Sequence, residues 1–215
     1  MTLEQALDRS LVIQEEITTL LNYRWIPDLP TDRRTQIAVG LLHLTVEQAH
    51  SVTLLFQNER YGAGLALTRS VFEVRCRGNW IKHHAKRRFI ETFPAKGFPE
   101  MRTLIEKLMS GLPDPKSATD FFSRVYHWLS EFVHGGPHMI GMQLSETGAA
   151  SNYDLEQVKE ALMVSDTMQI QAASELLAFA RCKDDEYCRS STETHIQCDQ
   201  FQADMRNIHH LVQLL

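Results

Sequence analysis

Between Asp32 and Asn58 the chain runs without a proline, while Ile37, Leu41, Leu44, Gln48, Val52 and Leu55 recur at spacings of three and four. That is the period at which an α-helix presents one continuous face. At 1.5 Å per residue, a helix of this size is about 40 Å tall, which sets the height of whatever packs against it. Breakers are few and lie between stretches of this kind: 10 glycines and 7 prolines among 215 residues leave too few turns for a chain of many short strands. The expected fold class is all-α, an up-and-down helical bundle of about six to seven helices with a short helical insertion and a long C-terminal helical hairpin.

Helix signals divide the chain further. Thr2 and Gln5 stand in a capping-box pattern, opening a helix to about Tyr23 with Leu3, Leu7, Leu11, Ile13, Ile17 and Leu20 inward, before Pro27 and Pro30 stop it. Thr31 or Asp32 is placed to cap the second helix. Gly62-Ala63-Gly64 opens a third, to about Lys86, with Leu65, Leu67, Val71, Phe72, Val74, Trp80 and Ile81 as its apolar surface. Residues 92–99 read as a loop and residues 100–109 as a short helix, together the insertion. A helix from about Ser117 to His134 should end at Gly135-Gly136-Pro137. After a polar loop over residues 141–153, Asp154 caps a long helix to about Tyr187 with Leu155, Val158, Leu162, Met168, Ala172, Leu176 and Phe179 on one face. A last helix starts near Thr192. No repeat or composition shift divides the chain, so one all-α domain over residues 1–215 is expected: a core bundle at about 32–140 plus the N-terminal helix, and a hairpin at about 152–215.

Charge and targeting signals narrow the function classes. A net charge of −5 with 22 Lys and Arg argues against a protein that coats nucleic acid, while leaving room for a local basic patch. The opening residues lack a secretory pattern, and charged or amide side chains interrupt every apolar run short of a membrane span. Cys76, Cys182, Cys188 and Cys198 then read as reduced thiols, and the expected location is cytoplasmic, with no membrane partner. A zinc site from the last three with His195 lacks a Cys-x-x-Cys pair.

Charged side chains inside apolar helical windows are the functional lead, because an ionised group in a core must be paired. Arg69, Glu73 and Arg77 follow each other at i, i+4 and i+8, so one carboxylate can bridge two guanidinium groups. His43, Glu47 and His50 share a face of the second helix, and Ser130, Glu131 and His134 lie within one turn. Lys82 to Arg88 is the basic cluster, placed at a helix end where the dipole favours cations and where phosphate could also bind.

The runs His50-Ser51-Val52-Thr53-Leu54-Leu55, Gly64-Leu65-Ala66-Leu67-Thr68-Arg69-Ser70-Val71-Phe72-Glu73 with Gly78-Asn79-Trp80-Ile81, and Leu129-Ser130-Glu131-Phe132-Val133-His134-Gly135-Gly136 resemble an uncharacterised family of bacterial all-helical proteins. That family is similar in turn to the HEPN superfamily of helical bundles. The resemblance spans about residues 32 to 140 and implies that His50, Arg69, Glu73 and His134 meet in one polar pocket between three helices. Many HEPN proteins are metal-independent RNases in which an arginine steadies phosphate and a histidine four to six residues later moves a proton. Arg77 to His83 or His84 has that spacing, although Gly78 stands where HEPN proteins usually carry a polar residue.

Three functions follow. In the first, His50, Arg69, Glu73, Ser130 and His134 form a pocket that binds or acts on RNA or another phosphorylated ligand: Arg69 holds the anion, Glu73 orients it, and His50 or His134 is the acid or base. No cofactor is called for. In the second, the same residues fix helix register in a non-catalytic homodimeric interaction module. In the third, Glu47-x-x-His50 and Glu131-x-x-His134, with Glu73 and Glu15 or Glu16, supply the ligands of a ferritin-like di-metal centre.

Overall fold

The computed structural model describes residues 1–22, 32–95, 97–133, 137–145, 148–149 and 152–181. Among them the order is α1 (Leu3–Asn22), α2 (Arg33–Gln57), α3 (Tyr61–His83), α4 (Arg87–Thr92), α5 (Met101–Met109), α6 (Pro115–Ser130), α7 (Pro137–Gly141), β1 (Leu144–Ser145), β2 (Gly148–Ala149) and α8 (Leu155–Arg181). The protein is an all-α bundle. Among the described residues the strands are one two-residue antiparallel pair, Leu144 opposite Ala149 and Ser145 opposite Gly148.

The helix starts follow their caps. Thr2 N donates to Gln5 Oε1 at 2.9 Å while Gln5 N donates to Thr2 Oγ1 at 3.2 Å, the reciprocal box that satisfies two orphan donors. Asp32 accepts from Thr35 N at 3.0 Å, and its hydrogen bonds to Thr35 hold its carboxyl below the usual carboxylate range. Asp114 caps α6 through Ser117 N at 3.1 Å, with Pro115 in the first turn where no N–H is missed.

Two glycines let α2 and α3 approach closely as an antiparallel pair. A Cβ at Gly64 would lie 2.2 Å from the Phe56 ring, and one at Gly78 would lie 3.3 Å from Leu42. Arg34 of α2 donates to the carbonyls of Ile81 and Ala85, both at 2.6 Å, satisfying acceptors left over at the end of α3. Helix α8 runs parallel to α3: the rings of Tyr61 and Tyr153 are 6.0 Å apart, and further along Lys82 Nζ sits 4.7 Å above the Phe179 ring. Helix α1 lies along α8, tied by Ser10 Oγ donating to Asp166 Oδ2 at 2.6 Å, and along α2, tied by Gln14 Nε2 donating to Thr53 Oγ1 at 2.5 Å.

Helices α5 and α6 cover another side of α3. The expected insertion packs into the core, since Met101, Leu104, Ile105 and Met109 are buried in the same cluster as Phe72 and Ile81. Its connecting loop is held by ring contacts joining Trp80, Phe89, Phe93 and Phe98.

Several boundaries and faces differ from the sequence reading. Helix α6 ends at Ser130 rather than His134, because Glu131, Phe132 and Val133 N–H groups turn to the carbonyls of Trp128, Leu129 and Ser130, three residues back, as Phe132 buries itself against Trp128. Short helices α4 and α7 occupy stretches read as connections. On α2 the buried stripe runs through Ala38, Leu42, Thr45, Ala49, Val52 and Phe56, and Leu44 is exposed. On α1 it runs through Ala6, Ser10, Gln14 and Ile17, leaving Leu11 outside. Polar residues thus occupy positions that an apolar count assigns to leucine. The last helix and the second arm of the hairpin fall outside the described residues.

Asp166 marks that polar seam. Its carboxyl is buried between Ser10 Oγ, Gln169 Nε2 at 3.0 Å and Arg9 Nη2 at 3.7 Å, and burial, outweighing these contacts, pushes its pKa up to about 6. The folded pKa exceeds the unfolded value, so the stabilising contribution is complete below about pH 4 and is lost as pH rises through about 6. Asp166→Asn should therefore raise the unfolding temperature at pH 7.5 by several degrees, equivalent to about 2 kcal/mol, and give no gain at pH 4. Thermal melts at the two pH values check this; an equal effect at both would contradict it.

Candidate functional site

The centre of the candidate site is built on one face of α3. Glu73 lies one turn from Arg69 and one turn from Arg77, and its carboxylate divides between them. Arg69 Nε donates to Oε1 at 2.9 Å, and Arg77 Nη2 donates to Oε2 at 2.6 Å. The Arg69 and Glu73 side chains are each 16% exposed and that of Arg77 is 30% exposed, so the pairs are partly shielded from solvent screening. Counted over these three side chains alone, one anion and two cations sum to a formal charge of +1.

Aromatic rings fix both guanidinium groups from outside α3. Arg69 Nη2 donates to the Tyr126 hydroxyl of α6 at 2.9 Å, and its guanidinium carbon is 5.1 Å from the centre of that ring. Arg77 lies 5.3 Å over the Phe98 ring. These are cation–π distances. Tyr126 stacks in turn on Phe72 of α3, centroids 6.2 Å apart and planes 26° from parallel. Ser130 Oγ donates back to the Tyr126 carbonyl at 2.7 Å, so Ser130 braces the turn that carries Tyr126.

The predicted set is therefore brought together in part. Arg69 and Glu73 are joined directly, and Ser130 stands one turn from Tyr126. His134 lies outside the described residues. His50 is half-buried on α2, its Nε2 sealed without a hydrogen-bond partner, and burial holds its pKa below the ordinary histidine value. The packing of Phe56 on Gly64 and Leu42 on Gly78 sets His50 level with the turn of α3 that carries Arg69, yet no hydrogen bond joins them.

The di-metal set does not assemble among the described residues. Both oxygens of Glu73 carry guanidinium groups, and Glu15, Glu16, Glu47 and Glu131 are exposed. No three His, Cys, Asp or Glu side chains among the described residues are placed to hold an ion. The Arg77 to His83 spacing also brings no pairing: Arg77 turns to Glu73 and Phe98, and His83 sits at the end of α3 beside Lys82. In the basic cluster, Lys82 pairs with Glu175 and Arg87 with Glu91. Cys76 is buried, which pushes its thiol up to about 12 and leaves it inert as a nucleophile.

Tyr126 and Phe98 were missed. Tyr126 lies four residues before Ser130 on the same helical face, and that spacing was the available signal. Phe98 sits in a loop after Gly97, where no periodicity points to it.

Residues 42–198 match a family of unknown function, DUF6988. The chain belongs to that family. No curated protein and no solved structure matches it. The DUF6988 match contains α3, α6 and the whole Arg69, Glu73, Arg77 and Tyr126 cluster, whereas α1 and the start of α2 precede it. Among the described residues no helix is long and apolar enough to cross a membrane.

If Glu73 holds both arginines, Glu73→Gln should lower unfolding stability by about 2 kcal/mol, because two partly buried guanidinium groups lose their counter-charge. Tyr126→Phe should cost about 1 kcal/mol, and nothing when Arg69→Gln is already present. Urea unfolding of the four variants measures both; a Glu73→Gln protein as stable as wild type would show the pairs to be mere solvated contacts.

Proposed function

We propose that this protein binds a phosphorylated ligand, single-stranded RNA being the favoured class, on the α3 face made by Arg69, Glu73 and Arg77. The observation that carries this reading is the shared carboxylate: Glu73 neutralises one of two guanidinium groups and orients both. Cations held in place against Tyr126 and Phe98 have the chemistry that tracks a phosphate backbone. The resemblance to HEPN proteins supports the same substrate class.

The reading is one of binding. Cleavage would require an imidazole at the ribose hydroxyl beside Arg69, and among the described residues no hydrogen bond or ion pair links an imidazole to Arg69 or Glu73. His50, whose pKa burial lowers, and His134 are the residues such an activity would recruit.

Fluorescence anisotropy with a labelled single-stranded RNA tests the proposal. Wild type should bind with an affinity that falls as salt rises, and Arg77→Gln should weaken it about tenfold, the order of one lost phosphate contact. Equal affinities for wild type and Arg77→Gln would overturn the assignment of this face. Cleavage of the same RNA by wild type, abolished by His134→Ala, would extend the reading to catalysis.

A further inference from the structure

The opposite face of α3 carries a second cationic group that nothing above uses. Arg75 is 5% exposed, more deeply buried than Arg69 or Arg77, and faces α8. Its charged neighbour is Glu175, with Nη2 and Oε1 4.0 Å apart, beyond hydrogen-bonding distance. The other oxygen of Glu175 is taken by Lys82. Arg75 Nε and Nη1 are sealed from the surface and donate to no acceptor.

A guanidinium does not escape this by losing its proton, because it stays charged in proteins. Buried charges that persist are paired and hydrogen-bonded, and Arg75 meets only the first condition, at long range. Arg75 and Lys82 together also exceed the charge of Glu175 by one. The cluster therefore has a surplus cation and unused buried donors.

We propose that Arg75 and Lys82 form an anion site between α3 and α8 that takes a small oxyanion of phosphate size. The anion accepts from the Arg75 guanidinium and from Lys82 Nζ, and Glu175 competes with it for both. Lys82 and Glu175 form the mouth: their side chains are 25% and 24% exposed, so parting this one ion pair opens a path to Arg75. Phe179, under the Lys82 ammonium, gives the site an apolar wall. His83 adjoins Lys82 at the end of α3, and burial and the Lys82 charge hold its pKa down; an imidazole, neutral or cationic, gives the surplus cation no counter-charge. This site is independent of the proposed RNA face, since Arg75 and Glu73 point to different neighbours.

Thermal unfolding titrated with inorganic phosphate against chloride, at matched ionic strength, tests the site through ligand linkage. Wild type should show a saturable rise in unfolding temperature, Arg102→Gln, at an exposed ion pair with Glu106 on α5, the same rise, and Glu175→Gln a rise at lower phosphate. Arg75→Gln should show none. A rise that survives in Arg75→Gln with the wild-type half-saturating phosphate overturns the inference, as does a wild type without a saturable rise. Should Arg75→Gln fail to fold, Lys82→Gln decides: about tenfold weaker phosphate binding is expected, and unchanged binding overturns the site.

Discussion

The carboxylate of Glu73 is the interaction on which the described architecture turns, because it must serve two guanidinium groups at once. With both oxygens used, Arg69 and Arg77 are held along α3 instead of sampling solvent, and Arg69 can then reach the Tyr126 hydroxyl. That bond, with the stacking of Tyr126 on Phe72, joins α6 to α3 by a polar and an apolar contact at the same place. Charge-assisted bonds of this kind are short and directional, so they select one helix orientation as well as stabilising it. Counted over Arg69, Glu73 and Arg77 alone, one positive charge is in excess, and on that ground we propose that this brace also receives an anion.

Elsewhere the bundle also relies on polar contacts at buried positions. The α1 and α8 interface is built around Ser10, Asp166 and Gln169, and α1 meets α2 through Gln14 and Thr53. Apolar packing supplies most of the driving force in such a domain, but polar groups that must find one partner restrict the register of neighbouring helices. Burial raises the Asp166 pKa to about 6, which makes this seam sensitive to pH. Arg75 is the counterpart on the α3 and α8 interface: a buried charge whose hydrogen-bonding capacity the surrounding side chains do not fill.

Much of this was legible from the sequence where the signal was local. Thr2 with Gln5, and Asp32, announced helix starts that the structure reproduces, whereas α6 begins at Pro115 under an Asp114 cap, two residues before the expected Ser117. The spacing of Arg69, Glu73 and Arg77 alone indicated a bridged carboxylate. What depends on distant partners was not legible. An apolar count could not show that Ser10 and Gln14 face inward while Leu11 faces out, since their partners, Asp166 of α8 and Thr53 of α2, lie on other helices. Nor could it place Phe98 over Arg77, which requires the loop after α4 to fold back on α3. Glycine and proline marked the expected end of α6 at Gly135, yet the helix unwinds at Ser130 because burying Phe132 favours a tighter turn.

The central claim, that Glu73 arranges two arginines for an anionic ligand, is tested most directly by the RNA affinity of Glu73→Gln under conditions where circular dichroism shows it folded. Removing a negative charge raises the net positive charge of the face, so simple charge counting predicts tighter binding. The account predicts weaker binding, because the guanidinium groups lose the carboxylate that aims them. An affinity equal to or greater than that of wild type would contradict it.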